Sequence, residues 1–222
     1  MGVRKDVGLK TLQHSIDGAK SLGFQLNDAV LHRLVSEYQG GGHQDEQEAV
    51  ASAILKTGLV HRATVHLEEP GGCGSDEAQY HLYVLVAATK GALDSLALWL
   101  NLRMKLNLTN AQCDFTKDVF RDRLGVDFPQ NIARQVDDWL KQVRDLSIWL
   151  EHRGTVPIIR TVDSVTGEHR SYEVLMDRVN RTSRTNDDYG DNTENLTIMA
   201  SPWRKRVADF VSANIRYGVE RD

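Results

Sequence analysis

Three polar residues set in an apolar stretch give the sequence its clearest chemical signal. Lys90, Asp94 and Asn101 stand at i, i+4 and i+11, bordered by Ala92, Leu93, Leu96, Ala97 and Leu98. At about 100° per residue, seven steps bring Asn101 almost back onto the line of Asp94, so a helix here carries a polar row. Groups withdrawn from water need hydrogen bonds or charges, and the row is expected to line a binding site or fix a partner. The plainer alternative is a Lys90–Asp94 surface pair worth tenths of a kcal/mol, with Asn101 unconnected to it.

A second set lies farther along the chain, in Arg144-Asp145-Leu146-Ser147-Ile148-Trp149-Leu150-Glu151-His152-Arg153-Gly154. Asp145 and His152 are seven apart and share a helix face, with Arg144 beside them. One reading is electrostatic: a protonated His152 and Arg153 in a last turn favour the negative end of the helix dipole. The other is phosphate chemistry, in which the guanidinium neutralises a phosphodiester and the imidazole moves a proton.

Other candidates are poorer. Gly71-Gly72-Cys73-Gly74-Ser75 resembles a phosphate loop but lacks the Gly-Lys-Ser/Thr ending, and Asp76-Glu77 would repel an anion at that helix start. Of His61, His66, Glu68 and Glu69, alternation on a strand would put His66 and Glu68 on one side with no supporting third ligand, so the set reads as a solvated strand end and no metal is expected. Cys113 has no evident base beside it, which argues against a nucleophile. In Trp203-Arg204-Lys205-Arg206 an aromatic joins a basic cluster; this is commonly the wet face of a helix whose Trp203 docks on the core.

The elements that position these residues are mostly helical. Leu9, Leu12, Ile16 and Ala19, and then Leu26, Val30, Leu31, Leu34 and Val35, mark two short amphipathic helices. Ala49 to Leu59 predicts a third, and the alternation Ala63-Thr64-Val65-His66-Leu67 predicts a short strand. From Asp76 to Leu106 the stripe Tyr80, Val84, Ala87, Ala88, Leu93, Leu96, Ala97, Leu100 and Met104 predicts a long spine helix, which Ser75 can cap. Helices are expected over Thr116 to Leu124 and Asn131 to His152, the latter stopped by Gly154 and Pro157. The period then drops to two in 155–160 and 171–175, with Thr166-Gly167 as a turn, so a β-hairpin is expected. Ser201-Pro202 reads as the cap and first position of a terminal helix ending near Gly218. Gly40 to Gly42, Pro70 to Gly74 and the polar stretch Ser183 to Asn195 read as loops.

Composition bounds the class. The chain has 222 residues, 27 Lys+Arg against 31 Asp+Glu and a formal net charge of −4, which excludes disorder as the default. Only two cysteines occur, so a disulfide framework is not expected. With His152 as the boundary there are 16 basic and 20 acidic residues before it and 11 of each after it, so no half is basic. Strong non-specific nucleic-acid binding is therefore not encoded in bulk charge. Without a secretory or membrane-spanning run, the expected address is cytoplasmic, away from membranes.

The order Lys90…Leu93-Asp94-Ser95-Leu96-Ala97…Leu100-Asn101, then Asp114-Phe115…Lys117…Phe120, then a helix closing on Arg144-Asp145…His152-Arg153-Gly154, resembles the HEPN-like helical superfamily over residues 76–154. That group comprises small helical bundles that commonly dimerise, many of them ribonucleases of toxin–antitoxin and phage-defence systems, others catalytically silent. The resemblance implies a metal-independent chemistry without cofactor, in which a ribose 2′-hydroxyl attacks the adjacent phosphate at a site composed by a dimer. Carried over, His152 becomes the general acid/base, Arg144 the stabiliser of the pentavalent phosphate, Asp145 the polar residue following it, and Asp94 the polar group of an earlier helix. Seven residues separate Arg144 from His152, a longer interval than the family pattern, and this favours a silent member.

The expectation is a mainly α single domain over 1–222. It comprises an N-terminal helical segment (1–70), a HEPN-like core (76–154), a β-hairpin (155–178) and a C-terminal helix (201–218). Function is expected to be that of a non-catalytic dimerising interaction or regulatory module, a homodimer with a possible protein partner. Lys90, Asp94 and Asn101 would form its binding row. The alternative is a metal-independent endoribonuclease acting on RNA through Arg144, Asp145 and His152.

Overall fold

The structure, a computed structural model, describes residues 5–39, 43–69, 75–125, 139–153, 158–175 and 193–221. Among them run α1 (Lys5–Ser21), α2 (Asp28–Tyr38), α3 (Gln44–Glu68), α4 (Ser75–Arg103), α5 (Asp118–Leu124) and α6 (Lys141–Arg153). After these come β1 (Ile158–Val162), β2 (His169–Leu175), β3 (Thr193–Asn195) and α7 (Leu196–Glu220). The fold is mainly α: a bundle with a long central helix, a small hairpin sheet and a closing C-terminal helix.

The spine α4 has 29 residues, about 43 Å at 1.5 Å per residue. Its neighbour α3 is antiparallel to it. Ser52 meets Ser95 at 3.1 Å, the Lys56 ammonium donates to the Gly91 carbonyl at 3.2 Å, and the rings of His66 and His81 stack at 4.6 Å. As one partner number rises the other falls. α3 is itself deeply buried, with Val50, Ala53, Ile54, Val60, Ala63 and Leu67 in the core.

That continuity corrects the strand expected over Ala63 to Leu67. The segment is the last part of a 25-residue helix, because Val60, Ala63, Thr64 and Leu67 are buried at helical spacing. The Thr64 hydroxyl donates to the Val60 carbonyl at 2.9 Å, so a β-branched residue is satisfied inside the helix. Tertiary burial overrides the local alternation. α1 crosses α3 at Gly58, where a Cβ would stand 2.8 Å from the Ala19 Cα, so the missing side chain sets the approach.

Around this pair the core closes with large rings. Phe115, Phe120, Trp139 and Phe210 meet edge to face, with centroids 4.8 to 5.9 Å apart, joining α5 and the start of α6 to α7. At the other end the Trp99 indole N–H donates to the Tyr38 hydroxyl at 2.9 Å, and that hydroxyl donates to Glu46 at 3.3 Å. Arg103 at the end of α4 pairs with Glu37 at 2.9 Å and donates to the Gly218 carbonyl at 3.3 Å, tying α2, α4 and α7 together.

The hairpin forms as expected, β1 antiparallel to β2 with Ile158 opposite Val174, and a register irregularity at Thr161/Val162. Asp163 organises its turn by accepting from the backbone of Val165 and Thr166 at 2.8 and 2.9 Å, and Gly167 takes the φ of 71° that closes it. A third strand, β3, pairs with β2 where the sequence reads as polar loop. α7 starts at Leu196, ahead of the expected cap at Ser201, and Pro202 lies inside it. β3 leads directly into the helix and burial already reaches Ala200, so the extra turn outweighs the one backbone bond that Pro202 cannot make. The expected loops at 40–42, 70–74 and 183–192, and the expected helical stretch 131–138, lie outside the described residues.

Candidate functional site

The spine helix turns an unexpected side to solvent. Leu82, Leu85, Val86, Ala88, Thr89, Ala92, Leu93, Leu96 and Ala97 fill its buried faces, while Tyr80, Tyr83 and Ala87 are exposed. Tyr80 and Ala87, read from the sequence as part of the core stripe, therefore belong to an outer strip. A helix apolar nearly all round offers more than one stripe, and the neighbours decide which is covered.

Lys90 and Asp94 continue that strip toward the C-terminal end. The Lys90 ammonium donates to both carboxylate oxygens of Asp94, at 2.5 and 2.6 Å, in an i,i+4 pair that is 30% and 49% exposed. The pair borders a groove of about 420 Å³ between α4 and the chain after it, walled also by Ser95, Leu98, Cys113 and Asp114. Next to it is a narrow cleft that Lys90, Asp94 and Asp114 share with Thr116 and with Arg144 of α6. Sequence spacing had no means of joining Arg144 to Lys90 and Asp94; the packing of α6 on α4 does so.

Asn101 does not belong to this site. It lies on the line of Asp94 but about 10 Å farther along the helix, where the chain has left α4 and folds back over it. Its amide donates to the Leu108 carbonyl and its carbonyl oxygen accepts the Leu108 N–H, both at 3.0 Å, and the residue is 7% exposed. It clamps the segment in which Lys105 and Asn107 take positive φ. That segment leads to Asp114, whose Oδ1 accepts from the Thr116 N–H and hydroxyl at 2.8 Å each. Asn101 thus anchors the start of the segment that goes on to form the groove wall, and Asp114 lines that wall.

Arg144 faces the cleft, whereas Asp145, one step of about 100° round the helix, is exposed and does not line it. His152 belongs to α6, eight residues on from Arg144, about 12 Å along and 80° round; its side chain lies outside the described residues. Cys113 is buried in the groove wall, and burial pushes its thiol up from the ordinary value, the opposite of what a nucleophile needs.

The histidines expected on a strand end sit on the helix α3 instead. His66 stacks on His81 and lies 3.1 Å from Glu69, and His81 lies 3.8 Å from Glu77. Burial, and next the adjacent His66, push the His81 imidazole down from the usual range against the pull of Glu77 and Glu69. His61 is pushed down by burial, helped by Arg204 and opposed by Glu68. Among the described residues no group of three or more His, Cys, Asp or Glu is disposed to hold a metal ion. In the basic cluster, Trp203 is buried, Arg204 pairs with Glu68 at 3.1 Å, and Lys205 and Arg206 are exposed.

By length and composition α4 is apolar enough to cross a membrane over Asp76–Arg103, the one such helix among the described residues, and 56% of its most apolar window is buried inside the bundle. The chain matches no known protein family, curated protein or solved structure.

Proposed function

We propose that the chain is a dimerising interaction or regulatory module of the HEPN-like kind, acting without turnover. The observation that carries this reading is the solvent-facing aromatic strip on the spine, where Tyr80 and Tyr83 are 63% and 52% exposed. Leu59 of α3 and Ile148 of α6 are further large apolar residues that the bundle leaves exposed. Large aromatic side chains left in solvent on one helix face, with charge beside them, are what interaction faces display. The Lys90–Asp94 pair supplies that charge. Sedimentation of the wild type tests the reading directly: a dimer at micromolar concentration that weakens in Tyr83→Ser supports it, and a monomer throughout overturns it.

A second reading, a metal-independent endoribonuclease, draws on the two cations Lys90 and Arg144 that border one cleft. In it Arg144 would stabilise the phosphate and His152, later on the same helix, would move the proton, while Asp145 stands outside the cleft. Cleavage of labelled RNA in excess chelator that disappears in His152→Ala supports it, and intact RNA at high protein concentration removes it.

A further inference from the structure

The corner where α1 turns into α2 encloses a cavity of about 220 Å³, and none of its lining residues borders the Lys90 groove. The chain leaves α1 through Gly23, which takes a φ of 96°. The Gly23 and Phe24 N–H groups donate back to the carbonyls of Lys20 and Ala19 at 3.0 and 2.9 Å, a closure that fixes the helix end. Phe24 and Leu26 are thereby turned inward. With Ile16, Leu31 and, from α3, Ile54 they give the cavity an apolar lining, of which all but the half-buried Leu31 are buried.

Charge gathers at the same cavity. Gln13, Asp17 and Lys20 recur at steps of four and three along one face of α1, and Asp28 opens α2. Each carboxylate is held from one side by an amide: Gln13 donates to Asp17 at 3.1 Å and Gln25 to Asp28 at 3.2 Å. Among the described residues neither carboxylate meets a cation, and Lys20 pairs with neither of them. Lys20 and Asp28 each suit the helix end they occupy. Asp17 does not, for it stands just ahead of the last turn of α1, where a carboxylate opposes the helix dipole.

The cavity is smaller than the roughly 300–1,000 Å³ of drug-sized sites, so its occupant is small. It asks for an apolar body, a cation for the carboxylates and an anion for the ammonium. The geometry points to a binding site for a free α-amino acid with a large apolar side chain, its ammonium on Asp17 and Asp28, its carboxylate on Lys20 and its side chain on the apolar lining. Such a ligand brings both signs of charge on adjacent groups, which a simple amine or a fatty acid does not. The site stands independently of the dimer reading.

Titrations of the full-length chain followed by heteronuclear NMR test the inference. L-leucine and L-phenylalanine are expected to shift resonances over residues 13–31 and at Ile54. N-acetyl-leucine, which lacks the ammonium, and isoamylamine, which lacks the carboxylate, are each expected to bind about tenfold more weakly than leucine. Asp17→Asn and Lys20→Gln alter exposed side chains, and each is expected to raise the leucine Kd about tenfold. Lys20→Gln is further expected to erase the difference between leucine and isoamylamine, which a merely structural lysine would not do. Circular dichroism of each variant separates lost binding from lost folding. The inference is overturned by the absence of shifts at millimolar leucine and phenylalanine, by shifts confined to other parts of the chain, by an amine that binds the wild type as tightly as leucine, or by a leucine Kd that both variants leave unchanged.

Discussion

Gly218 of α7 lies against the indole of Trp99 so closely that a Cβ would stand 2.4 Å from Cη2 and 2.7 Å from Cζ3. Alanine is the better helix former by about 1 kcal/mol, so propensity and packing oppose each other at this position. Packing wins, because Trp99 is fully buried and its N–H is committed to Tyr38. Gly218→Ala is expected to destabilise by about 1–3 kcal/mol, read from the midpoint of urea unfolding. An unchanged or raised midpoint would mean that the indole shifts at no cost.

Tyr38 links Trp99 to Glu46 through its hydroxyl, in a region where burial pushes the phenol well above its ordinary pKa. Tyr38→Phe keeps the ring and removes the link, leaving a buried indole N–H without its acceptor. A loss of about 1–3 kcal/mol is expected, with a change in Trp99 fluorescence. Stability equal to the wild type would show that the bond contributes nothing net.

These core relationships were only partly legible in the sequence. The spine, the hairpin and the terminal helix announce themselves through period and punctuation, since those signals are local. The faces of α4 do not, because an apolar helix carries several plausible stripes and the bundle chooses among them; hence Tyr80 and Ala87 look internal and are not. The strand expected at Ala63 to Leu67 shows the same limit, as alternation over five residues yields to burial over twenty-five. At the candidate site, the Lys90–Asp94 pair follows from i,i+4 spacing. The meeting of Arg144 with it depends on a long-range packing that no spacing encodes. Asn101 illustrates the reverse: a polar residue on an apolar face was a sound signal, and its answer was a backbone clamp rather than a ligand.

Asn101 and Asp94 therefore part company under substitution. Asn101→Ala removes two hydrogen bonds to Leu108 and is expected to cost about 1–3 kcal/mol, with faster amide exchange across 102–108. Asp94→Ala breaks a solvent-exposed pair and is expected to change stability by less than about 0.5 kcal/mol. Equal losses in the two variants would contradict this division of roles.

Acid should loosen the His66–His81 stack. His81 is held below the ordinary imidazole value of 6.5, so the folded state favours the neutral ring. As pH falls through that value the unfolded chain binds more protons than the folded one, and stability present above about pH 6.5 is lost below it. His61, pushed down as well, acts in the same sense. The urea midpoint is expected to fall from pH 7 to pH 5, and His81→Gln to flatten part of that decline. An equally steep decline in the variant would assign the effect elsewhere.

One side of the groove beside Lys90 is α4 and the other is the stretch of chain that follows it directly, whose start Asn101 fastens back at Leu108. Its walls are therefore neighbours in sequence, and no second helix is needed to close it. Selectivity for anything that enters must then be written in the side chains at the rim, and exchanging a few of them is enough to retune the opening while the scaffold stays as it is.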